Sequence, residues 1–198
     1  MLIGSRRSRL FVVLVAIRGF VLKFCMSKKL VVANWKMNPE SPEEAILLCK
    51  EVVKKAPKKV EVVICPPNIF WNEVSRIKRP KNISLGVQNI FYEEKGAFTG
   101  EISAKMAKNS GAGFSIIGHS ERRAQGESDE AIAKKVLSAR KAKLTPIVCV
   151  GEGERDSHGA YLDFLKQQIL SATSLIGKSG TRDIVVAYEP LWAIGKEA

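Results

Sequence analysis

Residues 113–121 read Gly-Phe-Ser-Ile-Ile-Gly-His-Ser-Glu, a nearly continuous apolar run that ends at a glycine and is followed at once by polar residues. Such a run is typical of a strand in a parallel sheet, because these strands are buried on both faces and need not alternate apolar with polar residues. Ligands of parallel α/β folds bind beyond the carboxyl ends of the strands. The segment therefore predicts a buried strand with part of a binding site directly after it.

Five further segments have the same character, and helical segments separate them. The six predicted strands are residues 30–36, 60–66, 83–89, 113–118, 145–151 and 183–189. Ser41-Pro42-Glu43-Glu44 has the pattern of a capping box with proline at the first helical position, and Ser128 precedes two acidic residues that suit the first turn of a helix. Apolar residues at helical spacing indicate a third helix at 161–176, and shorter helices fit about 68–79 and 101–109.

Six consecutive strand–helix units predict an α/β fold with a parallel sheet. Two architectures remain at this point, an open doubly wound sheet and a (β/α) barrel, and periodicity does not choose between them. The glycine-rich dinucleotide fingerprint is absent after the first strand, which weakens the doubly wound alternative. The sequence Gly-Glu-Gly-Glu at 151–154 is too short a glycine pattern to count.

Polar residues collect at the carboxyl ends of the predicted strands, whereas the amino ends show no comparable set. They are Asn34, Lys36, Gln88, Asn89, His119, Ser120, Glu121, Glu152 and Glu189. Taken singly, each has an ordinary interpretation as a solvated or structural side chain. Together, a cation, an imidazole and a carboxylate at one end of one sheet indicate an active site.

The chemistry that Lys36, His119 and Glu189 allow is proton transfer. A carboxylate can remove a proton from a carbon next to a carbonyl, and a neutral imidazole can donate a hydrogen bond to the developing enolate oxygen. A lysine can hold an anionic substrate and stabilise nearby negative charge. The sequence shows no metal-ligand set and no activated serine or cysteine nucleophile, so no metal is expected.

The net charge of +12 is unevenly distributed, since residues 1–25 contribute +5 and hold no acidic residue. The other lysines lie mostly on helix faces, which is typical of solvated surface, and they lack the aromatic residues or motif expected of nucleic-acid recognition. This charge also suits a small anionic substrate. The four cysteines (Cys25, Cys49, Cys65 and Cys149) lack metal-ligand or redox spacing, so buried free thiols and a cytoplasmic location are expected.

Residues 1–26 differ from the rest and are interpreted as an N-terminal extension to a domain at 27–198. Their arginines and the apolar run at 10–17 have the outline of a signal peptide, but Arg18 interrupts the run and no small-x-small cleavage pattern follows. We expect a start codon assigned too early, with Met26 as the first residue. A membrane-surface anchor or degenerate export signal is the second interpretation, and an ordered part of the domain is the third. For the domain itself no membrane association is expected.

Several motifs closely resemble the triosephosphate isomerase family, in the family's order and on the expected strands, across about residues 28–195. The most specific read Ala-Asn-Trp-Lys-Met-Asn at 33–38, Gly-His-Ser-Glu-Arg-Arg at 118–123 and Ala-Tyr-Glu-Pro-Leu-Trp-Ala-Ile-Gly at 187–195. Shorter matches lie at 88–89, 96–103 and 149–152. The resemblance implies a (β/α)8 TIM barrel and a glycolytic aldose–ketose isomerase. Such an enzyme interconverts dihydroxyacetone phosphate and glyceraldehyde 3-phosphate through an enediolate, without a cofactor.

The resemblance also implies roles for individual residues. Glu189 matches the catalytic base, His119 matches the neutral imidazole that polarises the carbonyl, and Lys36 with Asn34 matches the residues that bind substrate. Glu121 matches the carboxylate near that lysine, and Ser120 is assigned a supporting role beside it.

Two further segments of the resemblance concern the substrate phosphate and the assembly. Gly195 matches a backbone donor to the phosphate, and residues 190–195 resemble the start of the family's mobile lid. Residues 96–103 resemble a loop that reaches into the neighbouring subunit, with Thr99 at its tip. A homodimer is therefore expected, and an ordinary connection within one chain is the alternative interpretation of this loop.

The sequence departs from the family after Gly195, where Lys-Glu-Ala follows in place of the usual Thr-Gly and residue 198 is the last. Residues 26–198 number 173, whereas a barrel of this type needs about 250. About six of the eight βα units are therefore expected. In the family, the missing units carry serine- and glycine-containing loops that hold the phosphate. We use "completed chain" for this chain continued through two such units.

An unclosed barrel has its first and sixth strands as exposed edges, so the 198-residue chain alone is expected to fold poorly and to be nearly inactive. The main hypothesis is an isomerase with an incomplete sequence. The alternative is a partial barrel without catalytic activity that another polypeptide completes. The intact motifs around His119 and Glu189 argue against a different phosphosugar enzyme on the same fold.

Overall fold

The computed structural model describes residues 29–193, which form a six-stranded parallel sheet. The strands are β1 (Leu30–Asn34), β2 (Glu61–Cys65), β3 (Ile83–Val87), β4 (Phe114–Ile117), β5 (Thr145–Val150) and β6 (Val185–Tyr188). Each strand lies within the corresponding predicted segment, so the prediction of an α/β fold with parallel strands is confirmed. The extension proposed at 1–26 and Cys25 lie outside the described residues.

The strands are hydrogen-bonded in the order of the sequence, from β1 through β6. An open doubly wound sheet reverses its strand order at a switch point, whereas a barrel adds each strand beside the previous one. Side chains of β1 and β6, Val32 and Ala187, pack into the same inner cluster as Val63, Ile116 and Cys149. The sheet therefore curls around a shared inner layer, as expected for the first six strands of a (β/α)8 barrel.

Helices connect the strands and pack against the outer face of the sheet. They are α1 (Pro42–Lys55), α2 (Trp71–Ser75), α3 (Ala104–Asn109), α4 (Ser120–Ala124), α5 (Asp129–Lys141), α6 (Ala160–Thr173) and α7 (Gly177–Gly180). Single turns of 3-10 helix occur at Asn68–Phe70, Thr181–Asp183 and Leu191–Ala193. The outer clusters join apolar faces of α1 and α5 to strand residues that point away from the inner layer. None of the helices within 29–193 has the length and apolar character that crossing a membrane requires.

The predicted helix starts at Ser41 and Ser128 are confirmed. The hydroxyl of Ser41 accepts a hydrogen bond from the amide of Glu44, and that of Ser128 accepts one from the amide of Ala131, both at 3.2 Å. The carboxylate of Glu44 accepts from the amide of Glu40 at 3.3 Å, one residue before the position of an ideal capping box.

Three predicted helices are shorter than their sequence patterns indicated. In the 68–79 segment, the guanidinium of Arg79 donates to the carbonyl oxygens of Ser75 and Ile77, which ends α2 early. In the 101–109 segment, Ser103 is the N-cap, so α3 begins only after it. In the 161–176 segment, α6 ends at Thr173, and Gly177 follows with a φ of 61°.

The described cysteines Cys49, Cys65 and Cys149 are free and buried, as predicted. Burial raises the pKa of the Cys65 thiol to about 12, which keeps it protonated at neutral pH. Since the thiolate is the reactive form of cysteine, this side chain acts as core packing.

A buried ionic cluster fixes α4 and α5 to the segment after β3. Lys135 of α5 is 3% exposed, forms an ion pair with Glu127, and donates to the Asn89 side-chain oxygen at 2.8 Å. Arg122 of α4 donates to the same Glu127 oxygen at 3.0 Å. Burial by itself would raise the pKa of Glu127, but the hydrogen bonds and charges of Lys135 and Arg122 outweigh it and lower this pKa.

The lowered pKa makes the stability contribution of Glu127 dependent on pH. The ordinary value for this carboxyl group is 4.5, so its ionised form stabilises the folded state above about that pH. The contribution is lost as the pH falls through the folded-state pKa. The cluster is therefore at full strength near neutral pH.

We predict that Lys135→Met in the completed chain lowers the free energy of unfolding by about 3–5 kcal/mol, because it leaves Glu127 buried without one of its cations. Lys134→Met is the matched control. Lys134 pairs with Glu130 at the surface of α5, and its loss should change stability by at most about 1 kcal/mol. Urea unfolding of both variants at pH 7 measures the difference, and equal losses would contradict the importance of the buried pair.

Candidate active site

The carboxyl ends of β1, β4 and β6 bring the three predicted catalytic side chains to one end of the sheet. Lys36, His119 and Glu121 line a cavity of about 450 Å³, together with Asn34. Glu189 adjoins His119, with its Oε2 atom 3.6 Å from the imidazole Nε2 atom. Side chains that are up to 155 positions apart in sequence, from Asn34 to Glu189, thus share one region of the fold.

Lys36 lies two residues beyond β1, outside the strand that was predicted to include it, and its backbone has a φ of 55°. For a residue with a side chain, this left-handed conformation costs roughly 1–2 kcal/mol. The side-chain oxygen of Asn34 accepts from the Lys36 amide at 3.0 Å, and the side-chain amide of Gln88 donates to the Lys36 carbonyl at 2.9 Å. These two bonds offset the strain and fix the direction in which the lysine leaves the sheet.

The ammonium group of Lys36 pairs with Glu121, and the distance between Nζ and Oε1 is 2.6 Å. Both side chains are partly exposed, so the pair contributes little to stability. Its effect is on position, since it holds the cation at the wall of the cavity that both residues line.

His119 is almost fully buried, and it is the N-cap of α4. Its Nδ1 atom accepts a hydrogen bond from the Glu121 amide at 3.2 Å. An imidazole nitrogen that accepts a hydrogen bond carries no proton, so this contact favours the neutral tautomer with the proton on Nε2. The Nε2–H group therefore faces the region of the Glu189 carboxylate.

Glu189 follows β6, and its amide donates to the carbonyl of Val150 at 2.8 Å. Its Oε2 atom is buried and has no hydrogen-bond partner among the described residues. The thiol of Cys149 lies beside this carboxylate. Burial, and then the negative charge of Glu189, raises the pKa of Cys149 well above its ordinary value. A carboxylate oxygen that receives no hydrogen bond is free to accept a proton from a substrate.

The backbone at Glu189 packs so tightly against β5 that it requires a glycine. A Cβ atom at Gly151 would lie only 2.0 Å from the carbonyl oxygen of Glu189, far inside van der Waals contact. Any other residue at 151 would displace the segment that carries the carboxylate. The signal in the sequence for this requirement is a glycine as the last residue of a predicted strand.

Glu152 has a supporting position, outside the residues that line the cavity. Its carboxylate is buried and accepts hydrogen bonds from the Tyr188 hydroxyl and the Trp192 indole, each at 2.8 Å. Arg155 also donates to the Glu152 carboxylate. The backbone carbonyl of Glu152 accepts from the Leu191 amide at 2.9 Å. Burial alone would raise the pKa of Glu152, but the bonds from Trp192, Tyr188 and Arg155 lower it.

The remaining predicted residues fall in three places. Ser120 is the first residue of α4, between His119 and Glu121. Thr99 lies in an exposed loop at 93–101. Gly195 lies outside the described residues. Sequence reasoning gave no role to Gln88, Gly151 or Arg155, although the first stands at a strand end with other polar residues.

The sequence of this chain matches a known family of proteins. Residues 29–198 match the sequence model described as triosephosphate isomerase. The triosephosphate isomerase of Caldanaerobacter subterraneus subsp. tengcongensis is 45% identical over 175 residues, which cover 86% of this chain and 69% of the relative. That of Moorella thermoacetica is 41% identical, with the same shares covered.

A solved structure agrees with the sequence matches. The crystal structure of triosephosphate isomerase from Bartonella henselae superposes with a TM-score of 0.73 and 35% sequence identity. The match covers 82% of this chain and 68% of that chain. The family match spans all six strands and every described residue of the site, and the chain therefore belongs to the triosephosphate isomerase family.

Proposed function

We propose that the chain is the catalytic part of an enzyme that interconverts dihydroxyacetone phosphate and glyceraldehyde 3-phosphate by proton transfer through an enediolate. Family membership supports the isomerase activity. The observation that carries the mechanism is the pair of His119 and Glu189 next to the cavity, where the imidazole Nε2 atom lies 3.6 Å from a buried carboxylate oxygen that has no hydrogen-bond partner within the described part of the chain.

In this mechanism Glu189 is the base. Its Oε2 atom takes a proton from the carbon next to the carbonyl and returns it to the neighbouring carbon, so one carboxylate serves both halves of the reaction. The oxygen is buried, and among the residues at 29–193 it has no hydrogen-bond partner. Both conditions leave this oxygen available to accept the proton from the substrate carbon.

His119 acts on the substrate oxygens. With Nδ1 occupied by the Glu121 amide, its Nε2–H group donates to the carbonyl and stabilises the charge that develops on the enediolate oxygen. The backbone contact holds the ring in this tautomer between turnovers. The imidazole therefore presents a donor to the substrate without a change of orientation.

Lys36 supplies the positive charge of the site. It attracts the phosphorylated substrate and stabilises the negative charge that builds up during proton transfer. Asn34 supports it through the hydrogen bond to its amide, and Glu121 holds its ammonium group. We assign Ser120 a supporting role as the residue between His119 and Glu121, and Gly195 a backbone contact to the substrate phosphate.

We further propose that the enzyme is a cytoplasmic homodimer built on the loop at 96–103. Residues 96–101 of this loop, which include Thr99, are exposed. Large apolar side chains are also exposed, with Met37 at 92%, Ile69 at 79% and Phe98 at 43%. Met37 lines the catalytic cavity next to Lys36, so a second copy seated there would cover apolar surface and exclude water from the site.

Glu189→Gln tests the base. The amide keeps the shape of the side chain but cannot accept the proton, so turnover in the completed chain should fall by about 10²–10⁴-fold. A coupled assay for glyceraldehyde 3-phosphate measures the change, and Glu43→Gln on the exposed face of α1 is the matched control. Near-normal turnover in Glu189→Gln would refute the assignment.

Lys36→Met tests the cation. Loss of the ammonium group should lower kcat/KM by about 10²–10³-fold, because no positive charge at this position would attract the substrate phosphate or stabilise the negative charge of the enediolate. Lys29→Met, just before β1 at the opposite end of the sheet, is the control and should change kcat/KM less than twofold. A loss in Lys36→Met no larger than in this control would show that the cation has no catalytic role.

A further inference from the structure

Arg155 lies outside the residues that line the catalytic cavity, yet it contacts residues on both sides of Glu189. Its Nε and Nη2 atoms donate to Oε1 of Glu152 at 3.1 and 3.0 Å, and Nη2 also donates to the hydroxyl of Tyr188. The guanidinium carbon lies 5.3 Å from the centre of the Trp192 ring. Tyr188 directly precedes Glu189, and Trp192 follows it by three residues.

The buried carboxylate of Glu152 explains why a cation is needed here. Glu152 is 2% exposed, and its Oε2 atom has no hydrogen-bond partner among the described residues. Within the part of the chain that the structure describes, Arg155 is the cation that forms an ion pair with it. Without Arg155, two neutral donors from Tyr188 and Trp192 would have to hold a buried negative charge.

The guanidinium also contacts a second aromatic ring. Its central carbon lies 4.1 Å from the centre of the Tyr161 ring, a cation–π contact at the start of α6. The carboxylate of Asp156 accepts hydrogen bonds from the amides of Ala160 and Tyr161, at 3.1 and 2.8 Å, and so fixes the start of that helix next to Arg155. Arg155 is thus fastened to a rigid helix on one side and to the Glu189 segment on the other.

We propose that Arg155 is a positioning residue that sets the orientation of the Glu189 carboxylate through Glu152, Tyr188 and Trp192. The inference rests on the proposed role of Glu189 as the base. Because Arg155 touches the segment that carries the base but does not line the cavity, its loss should affect proton transfer more than substrate binding. Tight control of the base matters, since small displacements of a catalytic group lower rates steeply.

Kinetics of the completed chain separate positioning from a general structural role. Arg155→Met, which keeps an unbranched apolar side chain, should lower kcat about tenfold and leave KM within twofold. Arg155→Lys keeps the charge but loses the planar group that stacks on the ring and one of the two nitrogens that donate to Glu152. Its kcat should lie between that of the parent chain and that of Arg155→Met. Arg76→Met, an exposed arginine after α2, is the control and should match the parent chain. An unchanged kcat in Arg155→Met, or a loss confined to KM, would overturn the proposal.

A double-mutant cycle with Trp192→Phe tests the route of the effect. If Arg155 acts through Trp192, the kcat of the double variant should lie within twofold of the slower single variant. Losses that multiply would show that the two residues act independently and would overturn this route. The same kinetics distinguish this proposal from the proposed role of Glu189 as the base. If Glu189→Gln loses most of its kcat while Arg155→Met has the kcat of the parent chain, Glu189 remains the base and the positioning role of Arg155 is rejected.

Fluorescence of the completed chain, with Trp192 kept as its single tryptophan, gives a measurement that needs no activity. With Trp35 and Trp71 replaced by phenylalanine, acrylamide should quench Trp192 at least twofold more strongly in Arg155→Met than in the parent, because the stacked guanidinium is gone. Equal quenching would overturn the contact on which the proposal rests.

Discussion

The curl of the parallel sheet is the constraint on which the site depends. Each strand pairs with the previous one, and inner side chains from β1, β2, β4, β5 and β6 share one apolar layer. Parallel strands all end at the same edge, so this layer carries residues 36, 119 and 189 to one region. A flat sheet with the same strands would separate Lys36 from Glu121 and His119 from Glu189. The packing of apolar residues therefore places the polar ones.

Contacts with the backbone then fix the position of each of these residues. The amide of Glu121 donates to Nδ1 of His119, and the side-chain amide of Gln88 donates to the carbonyl of Lys36. The close approach of Gly151 fixes the backbone of Glu189. These contacts are present without substrate, so we expect the site to reorganise little when substrate binds. The residues on either side of Glu189, Tyr188 and Trp192, are held in turn by Glu152 and Arg155.

Local sequence patterns were sufficient to predict the strands, the Ser41 and Ser128 caps, and the collection of polar residues at the strand ends. Continuous apolar runs and capping residues leave a signal within a few positions. The positive φ of Lys36, the need for glycine at 151 and the contacts of Arg155 left no such signal. They depend on distances between segments that are far apart in sequence. The early end of α2 has the same origin, since it follows from where the Arg79 guanidinium folds back. The resemblance to a family predicted roles for Lys36, His119 and Glu189, and the geometry gives physical reasons for their arrangement.

The most direct test of proton transfer by a protein base is the fate of the substrate hydrogen in heavy water. Dihydroxyacetone phosphate is incubated with the completed chain in D2O, and both triose phosphates are followed by proton NMR. An enediolate formed by Glu189 predicts that solvent deuterium enters carbon 1 of dihydroxyacetone phosphate and carbon 2 of glyceraldehyde 3-phosphate during isomerisation. Isomerisation over many turnovers without deuterium in either sugar would indicate direct hydride transfer between the carbons and would contradict the account.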